Sequence, residues 1–178
     1  MRFILILSLF CLTAFADIKN TLFDLYQTNQ YTKACNLGLT RLYQNRTNED
    51  FISLYAFSCL NAGYLNRLSY PIARLKKSKE ARSNAAYLSV IVMQEKLLLH
   101  SMLDGYKLKQ LKLPTTDFIL SKVYDMYAAL TVYKKTPFYI FIDPKNDKIT
   151  YKLYLNDANN IVIEKLYNLT IVKKVIFN

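Results

Sequence analysis

Residues 20–68 read NTLFDLYQTNQYTKACNLGLTRLYQNRTNEDFISLYAFSCLNAGYLNRL, and the spacing of their apolar positions decides the fold of the first half of the chain. Leu22, Phe23, Leu25 and Tyr26 share one face of a helix, which Asn29-Gln30 breaks. Tyr31, Ala34, Cys35 and Leu39, with Leu42, form the inner stripe of a second helix. Arg46-Thr47-Asn48 is a polar connection. Asn48 stands where a side-chain cap belongs, and Glu49 and Asp50 place negative charge in the first turn, where the helix dipole favours it. This third helix carries Phe51, Leu54, Tyr55 and Cys59 and stops at Ala62-Gly63, because glycine takes the left-handed conformation that ends a helix.

Laid over itself at an offset of 34 residues, the segment keeps its pattern: Leu22 meets Ala56, Phe23 meets Phe57, Leu25 meets Cys59, Asn29 meets Gly63, Tyr31 meets Leu65 and Ala34 meets Leu68. The stretch Asn29-Gln30-Tyr31-Thr32-Lys33-Ala34 and the pattern Ala56-x-x-Cys59-x-x-x-Gly63-x-Leu65-x-x-Leu68 resemble the tetratricopeptide repeat family over residues 18–78. The motifs are degenerate, lacking the usual Trp and the closing Pro. The resemblance implies antiparallel helical hairpins, each burying its face against the next. Phe23, Tyr31, Phe57, Leu65 and Leu68 are then expected to hold the stack together. Pro71 falls inside the expected fourth helix, and the pattern favours a late start there, with Ser69 near the cap and Pro71 in the first turn.

Further on, Ala81, Ala85, Leu88, Ile91, Val92, Leu98 and Met102 predict one longer helix over 80–103, closed by Asp104-Gly105. A basic, leucine-spaced linker leads to a helix announced by Leu113-Pro114-Thr115-Thr116 and ended by Lys134-Lys135-Thr136-Pro137, with Val123, Tyr124, Tyr127 and Leu130 inward. Composition then changes. Phe138–Ile142 is a buried-strand run, Asp143-Pro144-Lys145-Asn146-Asp147-Lys148 is a turn, and Ile149–Leu155 alternates at period two, which together predict a β-hairpin. Asn156-Asp157 is read as the cap of a helix over 158–169, followed by a strand over 171–177, ahead of the alternative that the whole tail is extended. The expected fold is mainly α, with a helical domain at 17–135 and a β-β-α-β tail at 136–178 packed on the helices.

The first sixteen residues, MRFILILSLFCLTAFA, read as an export signal: Arg2 leads an apolar run, and Ala14-Phe15-Ala16 offers a small-x-small cleavage site. The run falls short of the roughly 20 residues a spanning helix needs. Cleavage after Ala16 implies a periplasmic protein and leaves 162 of the 178 residues. It also removes Cys11, so that Cys35 and Cys59 remain as an even pair in an oxidising compartment. In a tetratricopeptide-like stack these two cysteines sit on neighbouring helices, and the disulfide is favoured over two buried free thiols. The net charge is +11, falling to +10 without Arg2. In an exported protein such a balance turns attention from nucleic acid to anionic lipid, cell-wall polymers and acidic proteins. A chain rich in Lys, Asn, Ile and Tyr is also what an AT-rich genome encodes.

Candidate chemistry is sparse. His100 is the only histidine, so no two-histidine metal site can form, and Ser101 and Asp104 are too close along one helix to build a catalytic relay with it. Asp143 and Asp147 are the best pair for glycan chemistry, yet an Asp-Pro-Lys-Asn-Asp turn explains both. The only glycines are Gly38, Gly63 and Gly105, which excludes phosphate-cradling loops. Arg74, Lys76, Lys77, Lys79 and Arg82 form the densest basic cluster and are candidates for contact with an anionic surface. The expectation is a non-enzymatic envelope protein, without cofactor or metal, that binds another envelope protein or peptide. The alternatives are a cell-wall glycan binder or processing protein and a peripheral binder of anionic membrane.

Overall fold

A computed structural model describes residues 18–108, 111, 113–130 and 136–178. Residues 1–16, expected to be an export signal, lie outside the described residues, and Cys11 with them. The described residues are mostly helical from 18 to 128 and end in a four-stranded antiparallel sheet. The chain's contacts divide it into two compact units, residues 1–82 and 83–178. The last helix ends later, at Ala128, and the first strand begins at Tyr139.

The first unit begins with α1 over residues 18–27. Asn29, at φ 58°, turns the chain, and the Gln30 N–H returns to the Leu25 carbonyl. Helix α2 (Tyr31–Arg41) buries Ala34, Cys35 and Gly38. Helix α3 (Glu49–Ala62) starts on Asn48, whose side chain accepts from the Phe51 N–H. It closes on Gly63 at φ 84°, where the Gly63 and Tyr64 N–H groups reach back to the Leu60 and Cys59 carbonyls. Leu22, Ala34 and Phe51 form the buried centre, flanked by Ile18, Leu25, Leu37 and Leu54. A cramped approach fixes α2 against α3: a Cβ on Gly38 would lie 2.6 Å from the Tyr55 ring. A single 3₁₀ turn (Leu65–Arg67) precedes α4 (Ser69–Arg74). The late start is as read, with Pro71 in the first turn, where a missing N–H costs nothing.

Two expected core positions are not in the core. Phe23 is 47% exposed and Leu39 46% exposed. With Leu22, Leu25 and Tyr26 inward at i, i+3 and i+4, Phe23 points about 100° away from Leu22. On α2 the buried stripe is Ala34, Cys35 and Gly38, which leaves Leu39 off its edge. Tyr31 and Phe57 are half-buried, and Leu65 and Leu68 are fully inside.

The boundary between the units falls within α5 (Lys79–Asp104), which Gly105 terminates at φ 75°. In the second unit this helix buries Leu88, Ile91 and Leu98. Helix α6 (Ile119–Ala128) buries Leu120, Val123, Tyr124 and Tyr127, the i, i+3, i+4, i+7 stripe of an amphipathic helix. It ends at Ala128, short of the expected stop at Lys134, as the Leu130 N–H tightens onto the Tyr127 carbonyl.

The strands are β1 (Tyr139–Asp143), β2 (Asn146–Leu155), β3 (Ile161–Tyr167) and β4 (Thr170–Phe177), joined as a meander in the order β1-β2-β3-β4. The expected hairpin is β1-β2. The expected helix over 158–169 is corrected: that segment holds β3, and the tail is all β. Two turns impose this. Asn156 Oδ1 accepts from the Ala158 and Asn160 N–H groups, with Asn159 at φ 59°. Asn168 and Leu169, at φ 46° and 66°, make a two-residue connection with both centres left-handed, the geometry that matches strand twist. One sheet face carries the buried Tyr151, Leu153, Ile161, Ile163, Val175 and Phe177. Ring contacts of Phe118 with Phe177 at 6.0 Å and of Tyr127 with Tyr139 at 5.0 Å set α6 and its lead-in against that face.

Candidate functional site

Cys35 and Cys59 are joined, across 24 residues and with their Cα atoms 4.7 Å apart. Both are fully buried, so the bond serves the packing of α2 on α3. Arg67 covers it from the following turn: Nη1 donates to Asn36 Oδ1 at 2.8 Å and approaches Cys35 Sγ at 3.3 Å, while the guanidinium lies over the Tyr64 ring.

The basic cluster occupies the end of α4, the connection 75–78 and the start of α5. Arg74, Lys76, Lys77, Lys79 and Arg82 are all exposed. What shapes the connection is an acid: the Glu49 carboxylate accepts from the backbone N–H groups of Lys76, Lys77 and Ser78 at 2.9, 2.7 and 2.9 Å. Those donors, the Lys77 N–H foremost, hold the Glu49 carboxyl down at about 2. Ser78 then caps α5 through the Ala81 N–H. Arg82 turns back onto the Lys76 and Lys77 carbonyls, and Arg74 lies over Tyr70. The structure therefore brings the five cations into one hydrogen-bonded stretch. Two of them are occupied locally, whereas the ammonium groups of Lys76, Lys77 and Lys79 project from it. Sequence reasoning assigned Glu49 to the helix dipole and missed this second role, since its partners lie 27 to 29 residues away.

Asp143 and Asp147 do not converge. Asp143 lines a cleft of about 380 Å³ with Thr115, Asp117, Lys122, Asp125 and Lys145, whereas Asp147 lines a separate depression with Lys148, Thr150, Asn168 and Leu169. Asp143 accepts from the Lys145 N–H and from the Tyr151 hydroxyl, both at 2.8 Å. The Lys145 N–H is the chief cause that lowers the Asp143 carboxyl, and burial with the carboxylate beside it pushes the Tyr151 hydroxyl up to about 12. The other two acids of the cleft are also occupied: Asp117 by the Tyr87 hydroxyl at 2.7 Å and Asp125 by Thr115 at 2.8 Å. His100 is exposed and stacked on Tyr106, while Ser101 is buried and shares a hydrogen bond with the Tyr127 hydroxyl, so these residues form no relay with Asp104.

The sheet exposes apolar residues on its edge strands, and the run Phe138–Ile142, expected to be buried, is half-open because β1 is an edge strand. Strands β1 and β4 are the sheet's edges among the described residues. On the other sheet face, whose middle buries Val162 and Glu164, Ile140 is 59% and Ile142 64% exposed, and on β4 Ile171 and Val172 stand 54% and 58% exposed. Across the middle of that face runs the rung Ile140-Lys152-Glu164-Lys174. Glu164 accepts from Lys174 Nζ at 2.9 Å and from the Tyr154 hydroxyl at 2.8 Å, and Lys152 lies over the rings of Phe138 and Tyr154. Lys174 lowers the Glu164 carboxyl, and Tyr154 and Glu164 together raise the Lys174 ammonium to about 12. The neighbouring rung places Lys165 directly opposite Lys173. Alternating exposure in 170–177 is the signal that would have found this edge, and it is blurred by a bulge that leaves Val172 without a cross-strand partner.

Among the described residues no helix is long and apolar enough to cross a membrane, and no group of three or more His, Cys, Asp or Glu is placed to hold a metal ion. No protein-family model, no curated protein and no solved structure matches this chain.

Proposed function

We propose that this chain is a non-enzymatic interaction module of the bacterial cell envelope, exported to the periplasm by cleavage after Ala16, and that it acts by binding another envelope protein. The observation that carries the reading is the free edge of the sheet: Thr170–Lys174 of β4 are all exposed, two of them β-branched apolar residues, and an unpaired strand is a template for a partner's backbone. The Cys35–Cys59 disulfide agrees with an oxidising compartment.

The reading includes a degenerate tetratricopeptide-like stack in the first unit. In its support, the two residues that break the helices at the 34-residue offset, Asn29 and Gly63, both take left-handed backbone, and the aligned pairs Leu22 with Ala56 and Ala34 with Leu68 are all buried. The test is crosslinking in the intact envelope followed by identification of the crosslinked species. Recovery of a defined protein partner supports the reading; recovery of glycan or lipid alone overturns it.

A second reading, attachment to an anionic surface, is favoured by the Glu49-held stretch that presents Lys76, Lys77 and Lys79. It requires binding to acidic vesicles that weakens with salt, and binding that is absent or insensitive to salt removes it.

A further inference from the structure

We propose that the edge of β4 receives an extended acidic segment of a partner protein, which adds a fifth strand to the sheet and sets carboxylates beside Lys165 and Lys173. The proposal rests on the interaction-module reading and specifies its site and the chemistry of the partner. Two adjacent rungs of the β3–β4 ladder carry the argument. At the first, Glu164 faces Lys174 and the charges meet at 2.9 Å. At the second, Lys165 faces Lys173, and like charges directly opposite one another disfavour a sheet. Neither lysine makes a salt bridge among the described residues, so two positive charges are left unmatched, Lys173 on the edge strand and Lys165 on the strand just inside it. Beside them, Ile171 and Val172 offer apolar contact and the outward backbone of β4 offers hydrogen bonds. A strand alternating acidic and apolar residues complements all three features.

A second copy of this chain complements them poorly. Pairing β4 with β4 would bring Lys173 and Lys174 against the same lysines. The other edge, β1, has a single charged residue, Asp143, already taken by the Lys145 N–H and the Tyr151 hydroxyl. The lysines thus guard the edge against self-association while leaving it open to an acidic partner.

The experiment measures binding of a short fluorescent peptide alternating valine and glutamate to the purified, disulfide-bonded protein. Three companions are a valine–lysine peptide, a backbone N-methylated version of the acidic peptide, and anionic vesicles. Expected results are affinity for the acidic peptide greater by about tenfold or more than for the lysine peptide, loss of a similar factor on N-methylation, and new hydrogen-exchange protection confined to β4. The charge-swapped variant Lys165→Glu with Lys173→Glu is expected to reverse the preference between the two peptides. Because both positions are exposed or half-buried, this variant tests charge without opening the core. Equal binding of the N-methylated peptide, protection on β1 in place of β4, or an unreversed preference in the swapped variant would each overturn the proposal. Vesicle binding that depends on these same lysines would overturn it in favour of lipid. If the acidic peptide fails while envelope crosslinking still recovers a protein partner, this site is wrong and the broader reading stands; if crosslinking also recovers none, both fall.

Discussion

The helical unit and the four-stranded sheet are held by contacts of different reach. In residues 18–82 the decisive links join positions far apart in sequence: Cys35 to Cys59, Arg67 to Asn36, and Glu49 to the N–H groups of 76–78. In residues 83–178 the strands pair only with their sequence neighbours, and two of the three turns between them hold an asparagine in left-handed backbone, Asn159 and Asn168. Short helices are marginal alone and need such cross-links, whereas a meander is ordered by its ladder and needs correct turns. The difference teaches where each is vulnerable: the first through its staples, the second through its turns.

The largest test of this contrast is removal of the staple. Reduction, or Cys35→Ser with Cys59→Ser, is expected to lower stability by about 3 kcal/mol in the chain-entropy account, read as a shift of the urea midpoint. Hydrogen exchange places the loss: it should appear in the amides of α2 and α3. A loss of equal size in β2 and β3 would break the comparison. Next in size is Gly38→Ala. A helix interior ordinarily gains up to about 1 kcal/mol from this change. Here the new methyl meets the buried Tyr55 ring, and overpacking of this kind costs about 1–3 kcal/mol. The expected outcome is net destabilisation of about 1 kcal/mol, and a stabilised variant would show that the α2–α3 approach is slack.

In the sheet the corresponding change is a gain. Leu169 sits at φ 66° and is 85% exposed, so its side chain contributes little packing while its backbone occupies a region that costs an L-residue about 1–2 kcal/mol. Leu169→Gly completes an Asn-Gly turn of the preferred type and should raise stability by about 1 kcal/mol in thermal unfolding. An unchanged or lowered melting temperature would mean that the turn is not the weak point of the meander.

The same residues show what was legible in the sequence. Asn48, Gly63 and Pro71 announce their roles because capping, left-handed backbone and a missing N–H are properties of single residues, and the structure puts each where it was read. The 158–169 segment was misread because its signals are properties of pairs. Ile161, Val162, Ile163 and Leu166 fit a helix as well as a strand, and Glu164-Lys165 looks like a solvated helix face. Glu164 is in fact buried, and what makes that tolerable is Tyr154 and Lys174 on the flanking strands. The turn after it lacks glycine, so no hairpin was announced. For the candidate sites, the basic cluster was visible as a run of residues. The Glu49 anchor beneath it and the Lys165–Lys173 rung were not, because each depends on a partner that only folding supplies.

The smallest effect concerns two carboxylates that are held by backbone N–H groups in different ways. Asp143 bonds the N–H two residues on, a contact that any turn of this type makes for itself, whereas Glu49 bonds three N–H groups from a distant connection. Glu49 is held at about 2, below the ordinary glutamate value of 4.5, so its contribution is fully present above pH 4.5 and is lost as the pH falls through about 2. Amide shifts of Lys76, Lys77 and Ser78 followed by NMR during an acid titration are expected to move together with a midpoint near 2. In Glu49→Gln the common titration should vanish and the three amides should exchange faster, while the Lys145 amide, held by its own turn, should be unaffected. A midpoint near 4.5 in the unmodified protein would mean that Glu49 is not clamped. The basic stretch would then be an ordinary flexible connection, and the helical unit would have one long-range link fewer than its contrast with the sheet requires.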